Sequence, residues 1–166
     1  YAEPDPLQRL EDQVTAATLR ALREHEGSAL VFLPGQGEIT RTAERLAPRL
    51  PPDTDLAPLY GQLGPAEQDR AIQPASAGRR KVVLATSIAE TSLTIEGVRI
   101  VIDSGFRRVP VYEPATGMTS LATRSVSRAG ADQRRGRAGR TSPGICIRIW
   151  NQSQTAAQIG RAVQQE

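Results

Sequence analysis

The sequence predicts an α/β domain built on a mostly parallel sheet, and three observations lead there. Short continuous apolar runs, such as Ser28 to Leu33 and Lys81 to Ala85, read as strands buried on both faces, as in parallel sheets covered by helices. Stretches with apolar residues three and four apart alternate with those runs, the order expected of crossover units. A chain of 166 residues with 39% hydrophobic content suits one ordinary soluble domain.

In order, Asp5 can cap a helix starting at Pro6, with Leu7, Leu10, Val14, Ala17 and Ala21 forming its apolar stripe until Glu26-Gly27 stops it. Ser28 to Leu33 is the first strand, ended by Pro34-Gly35, and a loop is expected at Gln36-Gly37. Ile39, Ala43 and Leu46 mark a second helix, which the proline-rich stretch Pro48 to Asp53 breaks. Leu56 to Tyr60 reads as a strand, Pro65 to Ile72 as a short helix, and Gln73 to Gly78 as a surface loop. Lys81 to Ala85 and Val98 to Ile102 are the clearest further strands.

Residues Arg107 to Arg124 break the rhythm. Val109 and Val111 alternate with polar or cyclic neighbours, Pro114 to Gly117 makes a turn, and Met118 to Thr123 returns, which predicts a projecting β-hairpin. A helix from about Ala129 to Ala138 follows, and Gly144 to Trp150 alternates like a last strand. The expected organisation is a linker and initial helix over 1–27, the sheet domain over 28–150, and a polar tail or the start of another region over 151–166. Tyr1 in place of Met suggests a piece of a longer protein.

Composition removes several classes. No apolar run nears the roughly 18 residues that cross a bilayer, so a soluble, cytoplasmic protein without a membrane partner is expected. Cys146 has no second cysteine for an intramolecular disulfide, and His25 alone cannot build a zinc cage, so no metal site of the protein's own is expected.

The net charge of +3 conceals an asymmetry: residues 1–78 carry 7 Arg against 12 acids, and residues 79–166 carry 13 Arg and Lys81 against 6 acids. Guanidinium forks match phosphate oxygens bidentately, so a polyphosphate or a nucleic-acid backbone suits the second half.

The densest cluster is Gln133 to Arg140, QRRGRAGR. On a helix at about 100° per residue, Gln133, Arg137 and Arg140 share an arc of roughly 60°, while Arg134 and Arg135 point elsewhere and are expected to matter less. Gly136 and Gly139 cost helix stability, which implies close backbone approach or a helix ending at a glycine. Two aligned guanidiniums could clamp a terminal phosphate and neutralise charge developing in phosphoryl transfer.

QRRGRAGR resembles motif VI of superfamily 2 helicases, and Ala85 to Ile95 (ATSIAETSLTI) resembles motif V of their DEAH-box branch. Ser28 to Ile39 (SALVFLPGQGEI) resembles motif IV, and Leu59 to Ile72 (LYGQLGPAEQDRAI) the segment between. The four stand in the family's order, and the match is nearest to the second RecA-like domain of HrpB-type bacterial RNA helicases.

The resemblance implies a RecA-like domain that completes an ATP site whose magnesium and phosphate loop belong mainly to an N-terminal RecA-like domain of the same protein. It assigns Gln133, Arg137 and Arg140 to the terminal phosphate, with the arginines as fingers, and Thr94 and Glu96 to the nucleotide. Gly35, Gln36, Thr86 and Ser87 become contacts to the backbone of single-stranded RNA or an RNA duplex, and Arg107, Arg108 and Arg124 of the hairpin phosphate contacts. Where this chain has Ser87, Glu96 and Ile72, the family commonly has Asn and Asp and, in eukaryotic members, an aromatic that stacks on adenine. The expected function is thus the second motor domain of an ATP-dependent RNA helicase, inactive by itself because it lacks GxxxxGK[ST]. The alternative is a non-enzymatic adapter that grips nucleic acid through the basic half.

Overall fold

The computed structural model describes residues 9–90, 95–138 and 144–149. At its centre β1 (Ser28–Phe32), an apolar run with every residue buried, pairs in parallel with a strand on each side. Those neighbours are β3 (Arg80–Ala85) and β4 (Val98–Asp103); β2 (Thr54–Leu59) and β7 (Ile145–Arg148) complete a five-stranded sheet of order β2-β3-β1-β4-β7. All four pairings are parallel.

Alternation along β1 sends Ala29, Val31 and Leu33 into one core layer and Leu30 and Phe32 into the other. The first layer packs under α1 (Leu10–Glu24) and α2 (Gln36–Leu46) through Val14, Leu22, Ile39 and Leu46. The second is covered in part by α3 (Pro65–Ile72), which buries Ala71. The antiparallel β5 (Phe106–Glu113) and β6 (Met118–Ser125) form a separate two-stranded ribbon, and α4 (Arg128–Arg135) follows it. The mixed α/β, mostly parallel architecture with a hairpin is the one the sequence predicts.

Two basic side chains tie helix ends to β3. Arg80 donates to the carbonyls of Leu22, His25 and Gly27 at the end of α1, meeting acceptors that have no partner within the helix. Lys81, within β3, donates through Nζ to the carbonyls of Arg70 and Gln73 at the end of α3. Burial holds its pKa below the ordinary lysine value, with Asp55 opposing.

Among the differences from expectation are three helix boundaries. Helix α1 starts at Leu10, because Arg9 is extended and Glu11 and Asp12 occupy the first turn, where acidic residues suit the helix dipole; Asp5 lies outside the described residues. Gln36 and Gly37 form the first turn of α2 rather than a loop, since extended Gly35 takes the capping position. Helix α4 stops at Arg135, with Gly136 after it, short of the expected Ala138.

Candidate functional site

The loops leaving the carboxyl ends of β1, β2 and β3 meet beside the ribbon, the side of a parallel sheet where ligands commonly bind. Between them lies a cleft of about 430 Å³. Pro34 to Gly37 line it from the turn into α2, Tyr60 to Gln62 from the loop after β2, and Thr86 and Ser87 from the segment after β3. Backbone bonds hold these exits together: the Leu33 amide donates to Ala85 and the Thr86 amide to Leu59. Arg108 and Leu121 close the cleft from the ribbon.

The first amides of α2 open at this cleft, and a helix amino terminus favours anions. Arg108 brings a full positive charge there, its Nη2 lying 2.5 Å from Oε1 of Glu38. Glu38 also lies 3.3 Å from Arg41, whose Nε donates to Glu11 at 2.7 Å. Burial, the largest single influence, raises the Glu11 carboxyl, but the Arg41 hydrogen bond, a backbone hydrogen bond and the charges of Arg41 and Arg45 together outweigh it and hold the pKa below its ordinary value. A Cβ on Gly35 would stand 3.1 Å from Arg108 Nη2, so glycine there leaves the guanidinium its place.

Helix α4 starts at a serine cap, with the Gly130 amide donating to Ser127 Oγ at 3.0 Å. It buries Ala131 and Arg134 and exposes Gln133. Beyond Arg135 the chain tightens: the Arg137 amide donates to Arg134 and the Ala138 amide to Arg135, each at 3.1 Å and each spanning three residues. Arg137 is therefore half-buried in a tight turn, and the uniform helical arc expected through Arg137 to Arg140 does not hold at Arg137.

Arg134 has a structural role that helical phase alone did not show. Fully buried, it donates from Nε to Glu90 at 2.7 Å, from Nη1 to Asp103 at 2.8 Å and from Nη2 to the Phe106 carbonyl at 3.0 Å, and it stacks over the Phe32 ring at 4.9 Å. Burial opposes its charge, yet Asp103 and Glu90 outweigh burial and leave its pKa above the ordinary value. One side chain thus joins α4 to the ends of β1, β3 and β4 and to the root of the ribbon. Arg148 of β7 adds a contact to α4, 3.6 Å from Asp132.

The structure brings five expected residues, Gly35, Gln36, Thr86, Ser87 and Arg108, to one cleft. Gln133 and Arg137 stand at the carboxyl end of α4, outside that lining. Glu96 is exposed in the turn ahead of β4, at the amino ends of the strands. Arg107 and Arg124 face each other across the ribbon. Thr94 and Arg140 lie outside the described residues. The sequence reading assigned no role to Tyr60, Gly61, Gln62, Glu38, Leu121 or Arg134; the glycine-containing turn right after a strand was the available signal for the first three.

Among the described residues no helix is long and apolar enough to cross a membrane, and no group of three or more His, Cys, Asp or Glu side chains could hold a metal ion.

Comparison with known proteins gives concordant matches. The family model described as helicase conserved C-terminal domain matches residues 9–142. The ATP-dependent RNA helicase HrpB of Escherichia coli is 54% identical over 142 residues, 86% of this chain and 18% of that protein. Pre-mRNA-splicing factor ATP-dependent RNA helicase prp22 of Schizosaccharomyces pombe is 43% identical over 86% of this chain and 13% of its own length. A crystal structure of E. coli DExH-box NTPase HrpB superposes with a TM-score of 0.91 at 48% identity, over 98% of this chain and 20% of that one. The chain therefore spans about a fifth or less of the relatives it matches.

Proposed function

The chain belongs to the family of helicase conserved C-terminal domains, and from that premise we propose that it serves as the second motor domain of an ATP-dependent RNA helicase. The observation that carries this reading is the cleft: Gly35, Gln36, Thr86, Ser87 and Arg108 come from three separated segments and line one opening. Helix-terminal amides, two hydroxyls and a guanidinium converging on an elongated anion suit a sugar-phosphate backbone and ignore base identity.

ATP, with magnesium, would sit against an N-terminal RecA-like domain of the same protein, which would supply the phosphate loop. Gln133 and Arg137, with Arg140 beyond them, would approach its terminal phosphate from this domain, and Thr94 and Glu96 would contribute further nucleotide contacts. An arginine brought in on closure neutralises charge on the transferring phosphoryl group. Closure and reopening around ATP would then move the cleft along single-stranded RNA. Arg134 connects the two activities physically, since it ties α4 to the segment after β3 and to the ribbon.

Binding of single-stranded RNA to the complete protein tests this reading. Gln36→Ala combined with Thr86→Val should weaken it several-fold, whereas affinity equal to the parent's would contradict the assignment of the cleft. An adapter without turnover would bind RNA identically with and without ATP; the motor reading requires that nucleotide change the affinity.

A further inference from the structure

Helix α2 carries an acid in its first turn, Glu38, where any carboxylate suits the helix dipole whichever way it points. This one reaches across the fold. Its Oε1 lies 2.5 Å from Nη2 of Arg108, which is 70 residues away in sequence and on the ribbon, and its Oε2 lies 3.3 Å from Arg41. Arg41 is fixed in turn to Glu11 of α1 at 2.7 Å. The carboxylate is thus held from the body of the domain and is only 17% exposed, while the cation it meets is 32% exposed and lines the cleft. Glu38 itself stands outside that lining.

Arginine presents Nε and Nη2 along one edge, two donors that a carboxylate or a phosphate can take together. Glu38 takes one of them. Arg108 Nε is buried and meets no hydrogen-bond acceptor among the described residues. A singly bonded, part-exposed ion pair is of the weaker kind, so a second anion can displace it. A phosphodiester is such an anion, and its two free oxygens can fill the whole edge. Carboxylate and phosphate then compete for one guanidinium, and the fraction of time that Glu38 holds Arg108 lowers the affinity for RNA.

We propose that Glu38 is the release residue of the cleft: its carboxylate competes with an RNA phosphate for Arg108 and so shortens the stay of a bound strand. This rests on the reading that the cleft holds the RNA backbone. A motor that advances along a strand has to let go of each phosphate in every cycle, and opening or release often limits such cycles. An acid seated beside the cation and pinned by Arg41 takes the guanidinium back at high effective concentration.

The test is the dissociation rate of a short fluorescent oligouridylate from the complete protein, chased with unlabelled RNA, in the parent, Glu38→Gln, Arg108→Gln and the double variant. Glu38→Gln should slow dissociation about three- to fivefold, the upper scale of a part-exposed ion pair, and raise affinity by a similar factor. Placed on Arg108→Gln, the same substitution should change neither, because the contested cation is gone. That coupling separates competition from a merely structural role. Dissociation unchanged or faster in Glu38→Gln would overturn the proposal. So would an equal slowing in both backgrounds, which would mean that Glu38 only repels RNA through its charge. Failure of the cleft reading looks different: Arg108→Gln would leave affinity and dissociation as in the parent, and the proposal would fall with it. With the cleft reading intact, Arg108→Gln speeds dissociation whatever Glu38 does.

Discussion

Arg134 and Asp103 meet at the carboxyl end of β4, Nη1 to Oδ1 at 2.8 Å, with neither side chain exposed to solvent. Asp103 Oδ1 also accepts from the Gly105 amide at 2.8 Å, and Glu90 takes Nε of the same guanidinium. Removing the cation would strand two buried carboxylates. Arg134→Ala should therefore destabilise the domain by about 3–5 kcal/mol, the usual cost of breaking a buried pair by deleting one partner. Denaturant unfolding checks it; a loss below about 1 kcal/mol, the scale of an exposed pair, would mean that solvent reaches the network.

Arg108→Gln in the complete protein should weaken single-stranded RNA binding and reduce its salt slope by about 0.7, one phosphate contact on a single strand. Glu38→Gln should act in the opposite sense, because it frees the Arg108 guanidinium from a carboxylate 2.5 Å away. Anisotropy titrations at several salt concentrations read both.

Cys146 should resist alkylation in the folded protein. Burial pushes its pKa up to about 12, so almost no thiolate exists at pH 8. Iodoacetamide should modify it only after unfolding, and rapid modification of the native protein would show that β7 opens readily.

Glu11 gives a pH-dependent contribution of known sign. Its folded pKa lies below the ordinary 4.5, so the stability it adds through Arg41 is complete above that value and is lost as pH falls through the folded pKa. The stability difference between parent and Glu11→Gln should shrink in that acid window and stay constant from pH 5 to 7. A difference that grew on acidification would refute the pairing.

The sheet was legible because a strand buried on both faces leaves a continuous apolar run, as in Ala29 to Leu33, and α3 was legible from Pro65 at its first turn. Helix ends were less so: whether Gln36 starts a helix depends on the backbone of Gly35, which carries no side-chain signal. The cleft was partly legible from motifs, but the roles of Tyr60 and Glu38 arise from loops meeting across the sheet. The network around Arg134 was not legible because helical phase gives a direction and not what lies there; Asp103 and Glu90 are 31 and 44 residues away in sequence.

Arg137 is the cation that the proposed ATP site between this domain and a partner domain would need. In the complete protein, with saturating RNA, Arg137→Ala should lower kcat for ATP hydrolysis by roughly 10³ to 10⁵, as for arginine fingers in other phosphoryl-transfer enzymes, while ATP affinity stays within a few-fold of the parent's. Turnover equal to the parent's in a properly folded variant would mean that this domain does not complete the ATP site.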